Sequence, residues 1–553
     1  MNENITTIFG LVGGLALFLY GMNSMSDALQ KAAGEKMKSI LSILTKNPVM
    51  GALAGALVTA VLQSSSATTV MAIGFVSAGL MSLPQAISVI FGANIGTTMT
   101  AQLMAFKISN YIYPIIFIGF LMNFLSKKEK IKNVGLVIFS FGLLFEGIEI
   151  MGEVMKPLAN SPLFLNLMGK VADIPVLGVV LGAVMTLIVQ SSSATIAVLQ
   201  NFASQAGPDG VTSVMGLAGA IPILLGDNIG TTITALLASI GQSKNAKRTA
   251  VAHSVFNITG SILFLFLIPV LAGFVRFISP KGNEVEVISR QIANAHTTFN
   301  VVCTLIWLPL IPVMIKIVMF LVRGMDTVEI KENNAIFLED KLIAQPAAAL
   351  YLVSEKMKQL VEYTANTLEY LKESIAGKEP RAAGEKYQEN VALVMDWHDN
   401  LSAYLTKMFS SGNLTEIQSE QTAGLFYLCG YAGRIAERCE DIAGSWKKLG
   451  EEGKKFSPEA KEEMKTCMKI SQHMFNEAVT AMSEVERGNV LKKVIKERNR
   501  LRKLYRQYKK EHLNRVKKKK CDAAFLRHYE NILYNIGRIA DNCVNIAEEA
   551  VGQ

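Results

Sequence analysis

Over the first 323 positions hydrophobic residues gather into long runs, and beyond them they follow a helical rhythm between charged residues. The apolar runs lie near 5–24, 49–82, 84–105, 111–126, 133–151, 175–206, 214–240, 250–278 and 297–322. A helix that crosses a bilayer needs about 20 apolar residues, and several runs reach that length. Two of them carry four consecutive polar residues near their centres, Gln63–Ser66 in 49–82 and Gln190–Ser193 in 175–206. Such groups are costly in hydrocarbon unless they face protein or a water-filled cavity, so both runs are predicted to be broken helices. A polar link at 324–337 leads to amphipathic segments predicted as helices near 338–376, 380–411, 414–447, 457–486, 489–520 and 522–551. Gly412, Gly450, Gly453 and Pro458 punctuate them. The expected fold is all-α, a polytopic membrane part at 1–323 followed by a soluble part at 338–553.

The two interrupted runs belong to an internal duplication. GALAGALVTAVLQSSSATTV continues to FGANIGTTMTAQLMA, and LGVVLGAVMTLIVQSSSATIAV continues to LGDNIGTTITALLAS. Gln63 and Gln190 are 127 positions apart and Asn94 and Asn228 are 134, the difference falling in the loop Gly207–Ser213. These copies define repeats of about 49–126 and 175–278. A smaller echo fits AxAHxxFN at Ala250–Asn257 and Ala293–Asn300, and a third pairs GRIAERCEDIA with GRIADNCVNIA, 104 positions apart. That last pair is explained economically by two three-helix bundles in tandem, about 338–450 and 457–553.

Charge divides the chain in the same place. Residues 1–323 hold 12 acidic and 19 basic side chains, against 34 and 36 in the remainder. The net charge of +9 gives no reason to invoke nucleic acid. None of the six cysteines forms a CxxC pair, which suits buried free thiols in a reducing cytosol rather than disulfides or zinc. Residues 8–22 have no basic stretch before them and no cleavage site after, so they are expected to stay as a helix.

A helix that restarts after an intramembrane break points unpaired N–H groups and a partial positive charge into the cavity, a ready site for an anion. Ser64, Ser65, Ser66, Ser191, Ser192 and Ser193 add hydroxyl donors, and Gln63 and Gln190 add amides. Neither QSSSAT stretch contains Lys or Arg, so the anion would be held by neutral dipoles and released readily. In GANIGTT and GDNIGTT, Asn94, Thr97, Thr98, Asp227, Asn228, Thr231 and Thr232 offer the oxygen ligands that hard monovalent cations prefer. Gly92, Gly96, Gly226 and Gly230 are expected to let the backbone unwind and free main-chain carbonyls. Duplicated halves with interrupted segments point to a transporter's midplane site. Small polar residues that serve only helix packing would not recur as two motifs in one order. His253 and His296 read more simply as structural hydrogen-bond partners than as proton relays. Glu146, Glu149 and Glu153 fit either a path lining or an interfacial face, and Asp227, which replaces the Ala93 of the first repeat, is the one acid inside a motif.

The paired QSSS motifs, each followed by G-x-N-I-G-T-T, resemble the sodium/phosphate cotransporter family over about residues 5–320. The resemblance implies inverted repeats with broken helix hairpins, inorganic phosphate as substrate and sodium as the co-transported ion. It also implies that Gln63–Ser66 and Gln190–Ser193 meet at the substrate site. The C-terminal part is similar to PhoU, a regulator of phosphate uptake built of two three-helix bundles, so 338–553 would be a PhoU-like domain. PhoU's acidic E/D-x-x-x-D signature, which can bind a divalent metal, is matched by Glu437 and Asp441. Asp541 matches it in the second bundle, where Asn545 replaces the other acid. Metal binding is thereby disfavoured in the second bundle, and the alternative in the first is a solvated face of acids near Arg434 and Arg438.

Segment 489–520 holds 15 basic residues against Glu497 and Glu511, a face for membrane lipid headgroups or for plain solvent. Basic clusters at Lys127–Lys132 and Lys244–Arg248, with Lys316 and Arg323, mark cytoplasmic sides. The expectation is a multi-pass protein of the cell membrane with its C-terminal domain in the cytoplasm, a homodimer being a candidate assembly. Its activity would be sodium-coupled phosphate transport and not enzymatic. Phosphate export and a membrane-anchored phosphate sensor are the alternatives. Hydrolysis by a QSSS serine with His253 or His296 is disfavoured, because three like serines occurring twice form a binding surface rather than one activated nucleophile.

Overall fold

A computed structural model describes residues 3–33, 47–106, 108–159, 170, 174–207, 209–324, 338, 340–376, 380–412, 414–451, 456–480 and 487–552. Among them the fold is helical, apart from one isolated bridge between Ala206 and Ser213. The chain forms two compact units, Met1–Val328 and Glu329–Gln553. Except for Gly324, the link expected at 324–337 lies outside the described residues.

The first unit contains α1 (Glu3–Ala33), α2 (Pro48–Leu62), α3 (Ser65–Ser77), α4 (Leu83–Met104), α5 (Ile112–Leu125) and α6 (Glu129–Ala159). The second repeat follows with α7 (Pro175–Val189), α8 (Ser192–Ala203), α9 (Gly216–Gly230) and α10 (Thr232–Ala238). Last come α11 (Lys244–Phe266), α12 (Ile268–Ile278), α13 (Glu284–Trp307) and α14 (Ile311–Leu321). Four helical segments among the described residues are long and apolar enough to cross a membrane: Thr7–Lys31, Glu129–Met155, Gly216–Ala238 and Lys244–Phe266. With α2 at 15 residues and α3 at 13, about 22 and 20 Å at 1.5 Å per residue, neither spans the ~30 Å hydrocarbon core alone. Val49, Leu53 and Leu57 of α2 are exposed at a spacing of four, as are Val176, Val180 and Val184 of α7. One apolar stripe in both repeats is what lipid, not water, would cover.

Apolar runs 250–278 and 297–322 also prove to be divided. α11 gives way to α12 at Leu267, and α13 and α14 meet at 89°. Pro269 and Pro312, each in the first turn of the helix that follows, mark these bends.

Glycine acts here through closeness, not through unwinding. α4 runs unbroken through Gly92 and Gly96, and at Gly230 the Thr231 N–H still donates to the Asp227 carbonyl at 3.0 Å. A Cβ at Gly92 would overlap the Ala52 carbonyl, and one at Gly226 the Val179 carbonyl. The unwinding expected at Gly92, Gly96 and Gly226 is therefore replaced by backbone contact of α2 with α4 and of α7 with α9, and only after Gly230 is the helix interrupted, at Thr231.

In the second unit α15 (Pro346–Ala376), α16 (Pro380–Ser410) and α17 (Glu416–Glu451) form one bundle. The other comprises α18 (Pro458–Thr480), α19 (Arg487–Lys517) and α20 (Phe525–Gly552). The GRIA copies lie on α17 and α20, which pack together, with Asn531 donating to Ser445 Oγ at 2.8 Å. In the second bundle Arg515 grips the buried Glu463 with two nitrogens, at 2.7 and 2.6 Å, and the Tyr529 hydroxyl donates to the same carboxylate. All six cysteines are free and five are buried. Burial pushes the Cys429 thiol up to about 11 and the Cys467 thiol to about 12, so both are protonated and inert at neutral pH.

Gly92→Ala and Gly226→Ala should each cost about 1–3 kcal/mol through overpacking. Gly13→Ala, with open space around it, should be neutral or mildly stabilising. Thermal melting of the detergent-solubilised protein checks the contrast.

Candidate substrate site at the paired helix breaks

Each QSSS motif sits where a helix ends and another begins. Gln63 has φ 51° and ψ 23°, and Gln190 has φ 54° and ψ 24°. Among the described residues Lys519 is the only other non-glycine with positive φ. A left-handed Gln costs of order 1 kcal/mol or more and persists only where its surroundings impose it. The following serines are extended, Ser64 at φ −150° and Ser191 at φ −140°. Each caps the helix it precedes, accepting from the Ala67 N–H at 3.1 Å and from the Ala194 N–H at 3.2 Å. These caps leave the first N–H groups of α3 and α8 directed out of the helix starts.

Threonine pairs staple the broken ends. The Thr59 hydroxyl bonds that of Thr68 at 2.8 Å across the first break, and Thr186 bonds Thr195 at 2.9 Å across the second. Sequence inspection passed over these four residues, although they share the 127-residue offset of the glutamines. Only in the second repeat is a carboxylate added, Asp227 Oδ1 lying 2.6 Å from the Thr186 hydroxyl. Asp227 is fully buried, and its Oδ2 has no hydrogen-bond partner.

The glutamines do not share one environment. Gln63 is buried, with its amide oxygen accepting from Thr100 at 2.8 Å and its amide nitrogen donating to the Ala60 carbonyl at 2.5 Å. Gln190 is exposed. Thr234, the counterpart of Thr100, instead donates to Ser66 of the first repeat at 3.0 Å. In the opposite direction Gln200 of α8 donates to the Ala101 carbonyl of α4 at 3.2 Å. Each restarted helix thus lies against the GxNIGTT-bearing helix of the other repeat. Ser65 and Ser193 are buried, while Ser64, Ser66, Ser191 and Ser192 are half-buried.

Asn94, Thr97, Thr98, Asp227, Asn228, Thr231 and Thr232 are all buried. The threonine hydroxyls turn back on their own helices, to the carbonyls of Ala93, Ile95, Asp227 and Ile229. The asparagines reach outward. Asn94 Oδ1 lies 3.0 Å from His253 Nε2, and Asn228 Oδ1 lies 3.3 Å from His296 Nε2. Each AxAHxxFN helix is thereby tied to one GxNIGTT motif. Glu149 accepts from Ser109 at 2.8 Å and Glu146 from Tyr113 at 3.4 Å, on the outer side of α6.

In the second unit the metal-ligand expectation finds no support. No group of three or more His, Cys, Asp or Glu able to hold a metal occurs among the described residues. Glu437 and Asp441 are exposed. Asp441 pairs with Arg438 at 3.0 Å, and Asp541 lies between Arg498 at 2.6 Å and Arg538 at 3.3 Å. Asp441 and Asp541 are thus engaged by arginines.

Two copies of one helix break, each interlocked with the other repeat, now meet an independent comparison. The family described as Na+/Pi-cotransporter matches residues 17–153 and 147–302, beginning once in α1 and once in α6. The chain belongs to that family. This cotransporter membership indicates phosphate transport across a membrane, and the many apolar helices agree with a multi-pass protein. The PhoU domain matches residues 465–550, the second bundle. YqeW, an uncharacterized protein of Bacillus subtilis, is 35% identical over 266 residues, covering 48% of this chain and 84% of YqeW. Escherichia coli K12 YjbB, provisionally named an inorganic phosphate export protein, is 25% identical over 270 residues, 48% of either chain. Rat sodium-dependent phosphate transport protein 2A is 38% identical over 97 residues, 17% of this chain and 15% of its own. No solved structure matches.

Gln190→Gly should raise stability by up to about 1 kcal/mol, because it relieves the left-handed strain and gives up no buried bond. In Gln63→Gly the same relief should be offset by loss of the Thr100 bond, about 1 kcal/mol. Melting temperatures of the two variants against the parent decide this.

Proposed function

We propose that the chain is a sodium-coupled carrier of inorganic phosphate, with the anion held between Gln63–Ser66 and Gln190–Ser193. The observation carrying this reading is the doubled left-handed break, each restarted helix being bonded to the GxNIGTT-bearing segment of the other repeat, Ser66 to Thr234 and Gln200 to Ala101. Aligned N–H groups at a helix start bind oxyanions, and half-buried serines supply hydroxyl donors that rotate to suit a tetrahedral ligand. Sodium ions at Asn94, Thr97, Thr98, Asp227, Asn228, Thr231 and Thr232 offset the phosphate charge and so couple the two fluxes. Asp227 contributes the one full negative charge among those motif residues. Its unpartnered buried Oδ2 is costly unless a cation or proton attends it. Basic clusters at Lys127–Lys132 and Lys244–Arg248 support a cytoplasmic side for those loops, where the PhoU domain would act as a regulator of the carrier. A second reading is net export, favoured by the name given to YjbB. It uses the same site and differs in which gradient drives the cycle.

In proteoliposomes an inward sodium gradient should drive uptake of labelled phosphate, and replacing sodium by choline should abolish it. Reversing the gradient should reverse the flux. Ser66→Ala and Ser192→Ala should each raise the KM for phosphate about tenfold, for one hydrogen bond to a charged group at about 1.5 kcal/mol. Sodium-independent flux from well-folded protein would defeat the coupling.

A further inference from the structure

The duplicated GRIA motif leads to a site that the carrier reading does not use. In the first bundle a Cβ on Gly433 would strike His398, 2.7 Å from its ring, so α16 covers that glycine. In the second bundle nothing lies within 4 Å of the corresponding position on Gly537. Arg502 stands 104 positions after His398, the same offset that separates the two motifs. It leaves a cavity of about 220 Å³ between α19 and α20, with Cys467 of α18 beneath. The same motif is thus closed in one bundle and open in the other.

The lining has two chemistries. Leu501, Leu533 and Ile536, all buried, give an apolar floor. Around the mouth stand Tyr505 and Tyr534 with Arg498, Arg502 and Arg538. Asp541 pairs with Arg498 and Arg538 and Arg502 adds a third guanidinium to the lining, so the mouth stays positive. A free inorganic oxyanion would gain nothing from the floor. A purely apolar molecule would gain nothing from the arginines. Guanidinium planes and tyrosine rings both favour flat ring systems, and guanidinium forks favour phosphate.

We propose that this cavity in the PhoU domain binds a nucleotide, its base over the apolar floor and its phosphate on Arg502 and Arg538. Such a ligand would report the cell's organic phosphate to the carrier's regulatory part. The test is calorimetric titration of the full-length protein in detergent with AMP and with ATP, alongside inorganic phosphate and adenosine. Saturable nucleotide binding is expected, weakened at least tenfold by Arg502→Ala. Gly537→Leu, which fills the floor, should abolish it, with melting temperatures of both variants near the parent's. The exposed Arg502 keeps the test valid should the glycine variant fold poorly. The proposal is overturned if neither nucleotide binds saturably, if inorganic phosphate competes as strongly as AMP, or if Arg502→Ala binds as the parent does. Transport is not measured in this titration, so its outcome is independent of the uptake experiment.

Discussion

A peptide group stripped of its partner cannot stay in hydrocarbon, and the first unit is organised around that constraint. Interrupting a helix exposes N–H and C=O groups that each cost several kcal/mol in a dry environment. Here both interruptions take one form. A left-handed Gln turns the chain, the next serine caps the new helix, and a threonine pair spans the gap. What the cap leaves unsatisfied is directed donor capacity, and a family of phosphate transporters is where such capacity is expected. Strain at Gln63 and Gln190 is held in place by the helices around them.

Holding those helices falls to contacts between distant parts of the chain. His253 meets Asn94 across 159 positions and His296 meets Asn228 across 68, so the AxAHxxFN helices brace both GxNIGTT motifs in the same way. The repeats are nevertheless unequal. Ala93 in one stands for Asp227 in the other, and Gln63 is engaged by Thr100 while Gln190 is exposed. The two copies thus keep one framework while differing in the side chains they place on it.

How much of this was legible depended on the range of each interaction. The breaks were readable because four polar residues in an apolar run have few places to go, and the repeats because two motifs kept their order. The bends at Leu267 and after Trp307 were not read, since both runs stay apolar across them and only Pro269 and Pro312 mark the spot. Unwinding at Gly92 and Gly226 was a local inference from a residue that serves a neighbour instead, as the overlap with Ala52 and Val179 makes plain. The acidic signature at Glu437, Asp441 and Asp541 left metal and a solvated face both open, because spacing does not reveal which arginine pairs with which acid, least of all Arg498 on another helix. In the same unit, one sequence motif gave a covered glycine and an open one, a difference set by His398 and Arg502 on another helix.

Contact through main-chain atoms also limits how the first unit can rearrange. Where α2 meets α4 at Gly92, and α7 meets α9 at Gly226, no side chains lie between the helices to switch rotamers and take up a sliding motion. Each pair is therefore a rigid strut. Bends lie elsewhere in the unit, at 79° between α4 and α5 and at 89° between α13 and α14, away from these backbone contacts.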